Sequence, residues 1–337
     1  MKRFLLRWEA ALLLMLVAEL ALFGLINPRF LNLGNLIYGT SDFVQIGIVA
    51  LPLTLVIIAG GIDVSFAATI GLAAIVFGIS TVFGLPLALA VALALAIGIV
   101  CGLFNAAMVH LSKIQPLVVT LGSLYLFQGT ATVLSGLVGA GGYEGIGNFP
   151  AAFNAFGYAQ IAGLPASLLL FLALAAVLLV LLHVTRFGRA VFLVGQSESA
   201  ARFAGIPLAR VQTITYAVTG FCAALAGLVL SAYFGSARVD LGTTTLLPAV
   251  TAAVLGGASI YGGQGSIAGT LIATFVIGYL QQGLQAVGVS SQISSALSGG
   301  LLVAAVALRH GGAMLADFVA VARQHRRSRT AAMSGGK

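Results

Sequence analysis

The stretch IAGGIDVSF, Ile58–Phe66, places two glycines, an aspartate and a serine between long apolar runs. Gly60 and Gly61 should interrupt a helix, and an interrupted helix in a bilayer is tolerated only where protein or water meets its free backbone groups. A carboxylate at the centre of a membrane helix costs about 2.5–3.5 kcal/mol on insertion scales. We therefore expect Asp63 or Ser65 to cap the helix that follows, inside the bundle, with direct ligand contact as the second interpretation.

The composition around this stretch is that of a membrane protein. Of 337 residues, 60% are hydrophobic and only 7% are charged, whereas soluble domains carry about 25% charged residues. Apolar segments near the length of roughly 20 residues that spans a bilayer recur along the chain. The prediction is an all-α polytopic membrane protein with about ten transmembrane helices in one transmembrane domain, residues 1–310. The predicted spans are 8–26, 43–59, 66–83, 85–109, 116–137, 164–183, 212–232, 246–258, 265–284 and 290–308.

The distribution of basic residues predicts the topology. The net charge of +8 could suggest nucleic acid, but the basic residues cluster at the ends of spans, where they indicate the cytoplasmic side. Both termini, the loops 110–115 and 184–211, and the basic tail 311–337 are therefore expected in the cytoplasm, with the tail near the inner leaflet of the lipid bilayer. Arg29 and Arg238 fall on the outer side, each with an acid in its loop.

The outer segment 138–163 is rich in glycine and aromatic residues. It either forms an ordered cap over an outer opening or is a flexible connection with interfacial Phe and Tyr side chains. Composition alone favours neither alternative.

A weak internal repeat divides the chain into two pseudo-repeated halves. IAGGIDVSFAATIGLAA in the first half is similar to VLGGASIYGGQGSIAGTLIA in the second. Both have a Gly-Gly break between a short apolar run and a helix rich in small residues. Paired interrupted segments of this kind indicate the central pathway of transporters.

The hydrophilic segment 185–216 contains the signals of a short helix. Ser197 can cap ESAARFA, Gly205 suits the left-handed position after the helix, and Pro207 stops it. Glu198 and Arg202 have the i,i+4 spacing of an ion pair. A capped helix on the cytoplasmic face could receive force from a soluble motor; alternatively, the segment is a surface loop whose arginines only fix topology.

The sequence lacks residues that several functional classes require. No lysine follows a G-x-x-x-x-G pattern, so we expect no ATPase site in this chain. The four histidines lie at span ends or in the tail, which disfavours an intramembrane serine hydrolase, and metal-ligand spacing is absent. Only Glu19 and Asp63 are candidate buried ionisable groups, which disfavours an ion-coupled carrier. Glu19 is expected to hydrogen-bond within the bundle.

The motifs GGIDVS and GRAVFLVGQSESAARFAGIPLARV, followed late in the chain by VLGGASIYGGQGSIAGT, resemble membrane subunits of bacterial ABC importers for monosaccharides. That family serves ribose, xylose, arabinose and autoinducer-2, and the resemblance covers nearly the whole chain. The stretches WEAALLLMLVAEL, GYEGIGNFP and YLQQGLQAVGV are most similar to its autoinducer-2 branch, with rhamnose importer subunits close to it.

The resemblance implies a non-enzymatic permease subunit in the bacterial inner membrane. It would pair with a second, homologous and different permease, above two copies of a cytoplasmic ATPase that bind ATP and magnesium, and beneath a periplasmic solute-binding protein. The expected cargo is autoinducer-2, or a pentose or deoxyhexose such as rhamnose. No cofactor or metal is expected in this chain. A stand-alone proton-coupled carrier for a small polar solute is the alternative.

Two sets of residues are the candidate sites. The segment that resembles the family's ATPase-contacting segment comprises Arg189, Gln196, Ser197, Glu198, Ala201, Arg202, Gly205 and Ile206. The candidates for the translocation pathway are Gly60, Gly61, Asp63, Ser65, Asn105, Thr120, Ser123, Gln128, Gly256 and Gly257.

Overall fold

The structure, a computed structural model, is a bundle of thirteen α-helices with one two-stranded hairpin in its described residues. It describes residues 2–141 and 144–290, and beyond these 293–294, 296–297, 299–301, 303–304 and 307. The helices are α1 (Lys2–Ile26), α2 (Leu33–Gly39), α3 (Val44–Ile58), α4 (Phe66–Val82), α5 (Leu87–Ser112), α6 (Pro116–Gly136), α7 (Ala151–Tyr158), α8 (Ala166–His183), α9 (Arg186–Gln196), α10 (Glu198–Phe203), α11 (Leu208–Phe234), α12 (Leu246–Leu255) and α13 (Ile267–Ala286). The strands are β1 (Gln160–Ile161) and β2 (Leu164–Pro165).

Nine of the ten predicted segments coincide with helices of this bundle. Of the tenth, 290–308, the structure describes eleven of nineteen residues, and ten of these are helical. The tail 311–337 lies outside the described residues. By length and apolar composition, six described helices could span a membrane, or seven if α2 and α3, which meet at a bend of 59°, form one span. The polytopic architecture is therefore confirmed, while the count of ten spans stays a prediction. The helices α4 and α12 are apolar but shorter than a full span.

Small residues hold the centre of the bundle together where α5 crosses α11. On α5 the buried residues Ala90, Ala94, Gly98, Gly102 and Ala106 recur every fourth position, which places them on one helix face. A β-carbon at Gly98 would lie 2.6 Å from the methyl group of Ala224 on α11. Membrane helices associate through such small-residue seams because apolar burial gives no net gain in lipid.

The first helix lies at the edge of the bundle against α13. The indole nitrogen of Trp8 donates a hydrogen bond of 2.8 Å to the carbonyl of Leu255, and Phe23 packs where Gly283 leaves space. On the other side of α1, Leu14 and Val17 are 71% and 63% exposed. Such a face would contact lipid or a second protein in the membrane.

The segment 138–163 contains regular structure in its described residues, while its role as a cap over an outer opening stays a prediction. It contains α7 and the hairpin of β1 and β2. The ring of Phe153 on α7 packs at a tilt against Phe77 of α4 with a centroid distance of 4.1 Å, and Ile146 pairs with Ala237 in an antiparallel bridge. This end of the molecule is thus tied to both α4 and the loop after α11.

Acidic groups at the predicted outer end are paired locally. Arg238 donates two hydrogen bonds of 2.9 Å to Asp240, and these bonds raise the pKa of the Arg238 guanidinium above its ordinary value. Asp42 accepts hydrogen bonds from Tyr233 and from Gln282. Arg238 is therefore neutralised by its neighbour Asp240.

Candidate functional site

The first break, residues 59–65, is a buried turn between α3 and α4. Gly60 has a φ of +84°, a conformation that favours glycine because it lacks a β-carbon. One oxygen of Asp63 accepts hydrogen bonds from the backbone nitrogen of Ser65 at 2.9 Å and from its hydroxyl at 2.7 Å. Asp63 therefore fills the capping role at the start of α4, while Ser65 makes no side-chain cap bond of its own.

Three other helices hold this break in place. Asn105 on α5 donates 2.7 Å to the Ser65 hydroxyl. The carbonyl of Ile62 accepts hydrogen bonds from Thr120 on α6 at 3.1 Å and from Tyr216 on α11 at 3.4 Å. Asn105 lies seven residues before the end of α5 at Ser112, about 10 Å along the helix at ~1.5 Å per residue. The break is thus braced from within the bundle.

The predicted pathway residues fall into two groups: those that form or contact the first break, and those that lie elsewhere. Asp63, Ser65, Asn105 and Thr120 are at most 2% exposed and bond to the break, so within this chain they are bracing groups. The carbonyl oxygen of the Asn105 side chain is buried without a hydrogen-bond partner. It is the one oxygen of these four side chains that the structure leaves buried and unpartnered in the described residues.

Ser123 on α6 is also buried, at 3% exposure, whereas Gln128, further along the same helix, is half-buried. Neither forms a hydrogen bond to the break among the described residues. Gly256 and Gly257 follow α12 at the second break, where a β-carbon on Gly256 would clash with the backbone of Thr270. The residues that the sequence grouped as one pathway therefore lie at three places in the structure: the first break, the helix α6 and the second break.

The second break, residues 256–266, is tied to α1. Ser266 caps α13 by accepting from the backbone nitrogen of Gly269 at 3.1 Å, and its hydroxyl donates 2.6 Å to Glu9. Trp8 binds the last carbonyl of α12, as described above. The start of the chain thus fixes both sides of this break.

The short helix predicted in the loop 184–211 is confirmed as α10. The Ser197 hydroxyl accepts a hydrogen bond of 3.2 Å from the backbone of Ala200. At the other end, Gly205 has a φ of +75°, its backbone nitrogen donates to Arg202, and that of Ile206 donates to Ala201 at 3.0 Å. These two bonds form a Schellman motif, which closes the helix end.

The ion pair expected between Glu198 and Arg202 is wrong. Glu198 accepts instead from the side chain of Gln212 on α11, at 3.4 Å, and the only ion pair within 4.0 Å among the described residues is that of Arg238 with Asp240. The reason is that α10 lies against the start of α11, whose buried amide competes for the carboxylate. Arg202 is left exposed.

Sequence reasoning missed Phe203, the last residue of α10. Its side chain is 95% exposed, and it lines an open pocket of about 540 Å³ together with Glu198, Ser199 and Arg202. A large aromatic residue at the end of a short polar helix was the available signal. The other segment residues Arg189 and Gln196 are exposed on α9, and Ala201 is buried beneath α10.

The surroundings of the Glu19 side chain differ from those expected from the sequence. Both of its carboxylate oxygens are buried, and neither has a hydrogen-bond partner in the described part of the chain. The expected hydrogen bond within the bundle is therefore wrong.

The structure is a polytopic bundle with two glycine breaks and a capped, exposed helix, and similarity to known proteins gives its class. The chain belongs to the family described as branched-chain amino acid transport system, permease component, which it matches over residues 35–306. It is a permease component of a transport system and a multi-pass protein of the bacterial inner membrane. This match confirms that the chain is a permease subunit, as the resemblance in the sequence implied.

Relatives named autoinducer 2 import system permease protein LsrD are more than half identical to this chain. That of Klebsiella pneumoniae is 56% identical over 301 residues, 89% of this chain and 91% of the relative. Those of Enterobacter sp. strain 638 and Escherichia coli K12 are 56% and 55% identical, each over 89% of this chain and 92% and 91% of the relative. No solved structure matches the chain.

Proposed function

We propose that this chain is one permease subunit of an ATP-binding-cassette importer that moves autoinducer-2 across the inner membrane. The observation that carries the proposal is α10: a capped, exposed helix at the predicted cytoplasmic end of a chain that belongs to a permease family. The energy comes from a separate cytoplasmic ATPase, present in two copies, which binds ATP and magnesium. This chain contributes no ATPase site and no cofactor.

The surface of α10 is suited to bind such an ATPase. Phe203 exposes nearly its whole ring to solvent, a cost that a protein partner can remove by taking the ring into an apolar cleft. Aromatic and arginine side chains dominate the binding energy of protein interfaces, and Arg202 lies beside Phe203 in the same pocket. The caps on both ends of α10 keep it rigid, so a push on the helix moves it as one body.

The cargo is argued from the names of the relatives and from the chemistry of the bundle. At 54–56% identity over nearly the whole chain, the relatives support autoinducer-2 before rhamnose or a pentose. A monosaccharide-like solute crosses most readily along weakly polar groups, and a periplasmic binding protein would deliver it. The pathway runs at the interface with a second, different permease, near the two breaks.

The topology proposed for this function has ten spans and cytoplasmic termini. The short helices α4 and α12 then belong to interrupted spans, whose breaks carry Gly60–Gly61 and Gly256–Gly257. Residues 290–308 form the tenth span, and residues 311–337 a basic tail. In this arrangement α9 and α10 lie in the cytoplasm, where an ATPase reaches them.

The test is reconstitution of the complete importer in lipid vesicles with Phe203→Ala. We expect the ATPase to co-purify at least tenfold less with this variant, and ATP-driven uptake of autoinducer-2 to fall in parallel. Phe234→Ala, at the opposite end of the bundle and 58% exposed, is the matched control and should behave as the unmodified protein. Full ATPase binding and uptake by Phe203→Ala would contradict the docking role of α10.

The proton-coupled carrier remains the second candidate, because Glu19 is a buried carboxylate without a partner. Uptake measured in vesicles that contain this chain alone distinguishes the importer from the carrier. A proton gradient should drive no uptake if the importer proposal is right. Uptake that depends on the gradient and disappears in Glu19→Gln would favour the carrier.

A further inference from the structure

A contact made of backbone atoms joins the cytoplasmic segment to both breaks. Gly195, in the last turn of α9, lies against Ile58, the last residue of α3. A β-carbon at position 195 would overlap the carbonyl oxygen of Ile58 and lie 2.6 Å from the backbone nitrogen of Gly263. Because real β-carbons do not approach other atoms so closely, only glycine fits at this position.

The second break reaches the same point. Gly262 and Gly263 have φ values of +83° and +71°, and the backbone nitrogen of Gly263 donates 2.8 Å to the carbonyl of Ile58. A β-carbon on Gly262 would lie 2.7 Å from the oxygen of Gly195 and 3.2 Å from the α-carbon of Gly60. Both breaks and α9 therefore meet without a side chain between them.

We refer to Ile58, Gly60, Gly195, Gly262 and Gly263 as the glycine junction. The junction lies close to α10 in the chain, because Ser197, the N-cap of α10, comes two residues after Gly195. The backbone nitrogen of Ser197 also donates a hydrogen bond of 3.2 Å to the carbonyl of Leu193 on α9. The chain thus passes from the junction to the exposed helix without a flexible linker.

We propose that the glycine junction transmits movement of α10 to both breaks at once. Closely packed backbones have little compressibility and pass on a displacement, whereas long side chains would absorb it by changing rotamer. A shift of α10 towards the bundle presses Gly195 against the end of α3 and against the Gly262–Gly263 turn. Gly195 is therefore a positioning residue for the transport cycle. This inference rests on the proposed function.

The first test is Gly195→Ala in the complete importer reconstituted in lipid vesicles. Its β-carbon forces the three backbones apart, while the side chains that α10 exposes to the ATPase are not altered. We expect ATPase binding and ATP hydrolysis within twofold of the unmodified complex, and uptake of autoinducer-2 at least tenfold lower. Gly129→Ala on α6, where nothing lies within 4 Å of the added carbon, is the control and should transport normally.

A second variant covers the case in which Gly195→Ala does not fold, as judged by size-exclusion chromatography. Two glycines inserted between Gln196 and Ser197 leave the junction intact and loosen its link to α10. We expect the same result: the ATPase bound and active, uptake lost.

The outcomes separate this inference from the proposed function. Normal uptake in a folded Gly195→Ala variant or in the insertion variant overturns the junction's role. Loss of ATPase binding in either variant also overturns it, because the segment would then serve docking alone. If the unmodified complex shows no ATP-dependent uptake, the proposed function itself is wrong.

Discussion

Replacement of Asp63 tests whether a single carboxylate holds the first break. Asp63→Ala removes the acceptor of two hydrogen bonds, from the backbone nitrogen of Ser65 at 2.9 Å and from its hydroxyl at 2.7 Å. A buried donor left without an acceptor costs about 1–3 kcal/mol. Two such donors would cost about 2–6 kcal/mol together. The hydroxyl of Ser65 also accepts from Asn105 and can rotate to another acceptor, so the expected cost lies in the lower half of this range. We expect Asp63→Ala to lower the free energy of unfolding by about 3 kcal/mol.

Asp63→Asn is the matched variant, because its amide keeps one oxygen as the acceptor for Ser65. It should cost about 1 kcal/mol, the typical net worth of a neutral hydrogen bond. Asp240→Asn is the control at the surface. Its ion pair with Arg238 is partly exposed, and exposed pairs contribute about 0–1 kcal/mol.

The assay is reversible unfolding of the detergent-solubilised chain by sodium dodecyl sulfate, followed by circular dichroism. The expected order of destabilisation is Asp63→Ala, then Asp63→Asn, with Asp240→Asn least. Equal effects for Asp63→Ala and Asp240→Asn would refute the reasoning, because the break would then be held by its packing and not by this carboxylate.

Three further predictions concern separate contacts. Gly98→Leu should separate α5 from α11 and abolish folding, while Gly122→Leu, with open space around it, should not; size-exclusion chromatography distinguishes the two. Ser197→Ala removes the cap of α10 at a cost of about 1 kcal/mol, so amide exchange of α10 should quicken severalfold, and unchanged exchange would show that the Schellman motif suffices. Trp8→Phe leaves the Leu255 carbonyl unpaired; the second break should then become more accessible to proteolysis, and an unchanged cleavage rate would contradict this contact.

Local signals in the sequence were enough to predict α10. Ser197, Gly205 and Pro207 each act within a few residues of their own position, so their effect does not depend on distant packing. The apolar segments were readable for a similar reason, because the length that a bilayer requires belongs to the segment itself. The small-residue spacing on α5 is also present in the sequence, but its partner helix is not.

Pairwise contacts were where sequence reasoning failed. Glu198 and Arg202 have the right spacing for an ion pair, yet Gln212 on another helix takes the carboxylate. Glu19 was expected to find a donor in the bundle, and no donor among the described residues reaches it. In both cases the outcome depends on which side chains distant parts of the chain bring near, and spacing along one helix does not contain that information.

The amino-acid sequence by itself determined that the chain is a membrane protein, where in the sequence its helices lie, and that GGIDVS interrupts them. Hydropathy and backbone freedom are properties of single residues, so these features can be predicted without the tertiary structure. Only the tertiary structure decided that Gly195 meets Ile58 and Gly263, and that Asn105, Thr120 and Tyr216 converge on one turn. These contacts join residues up to 205 positions apart, as between Ile58 and Gly263. Their existence depends on how the helices pack, and packing is a property of the whole bundle.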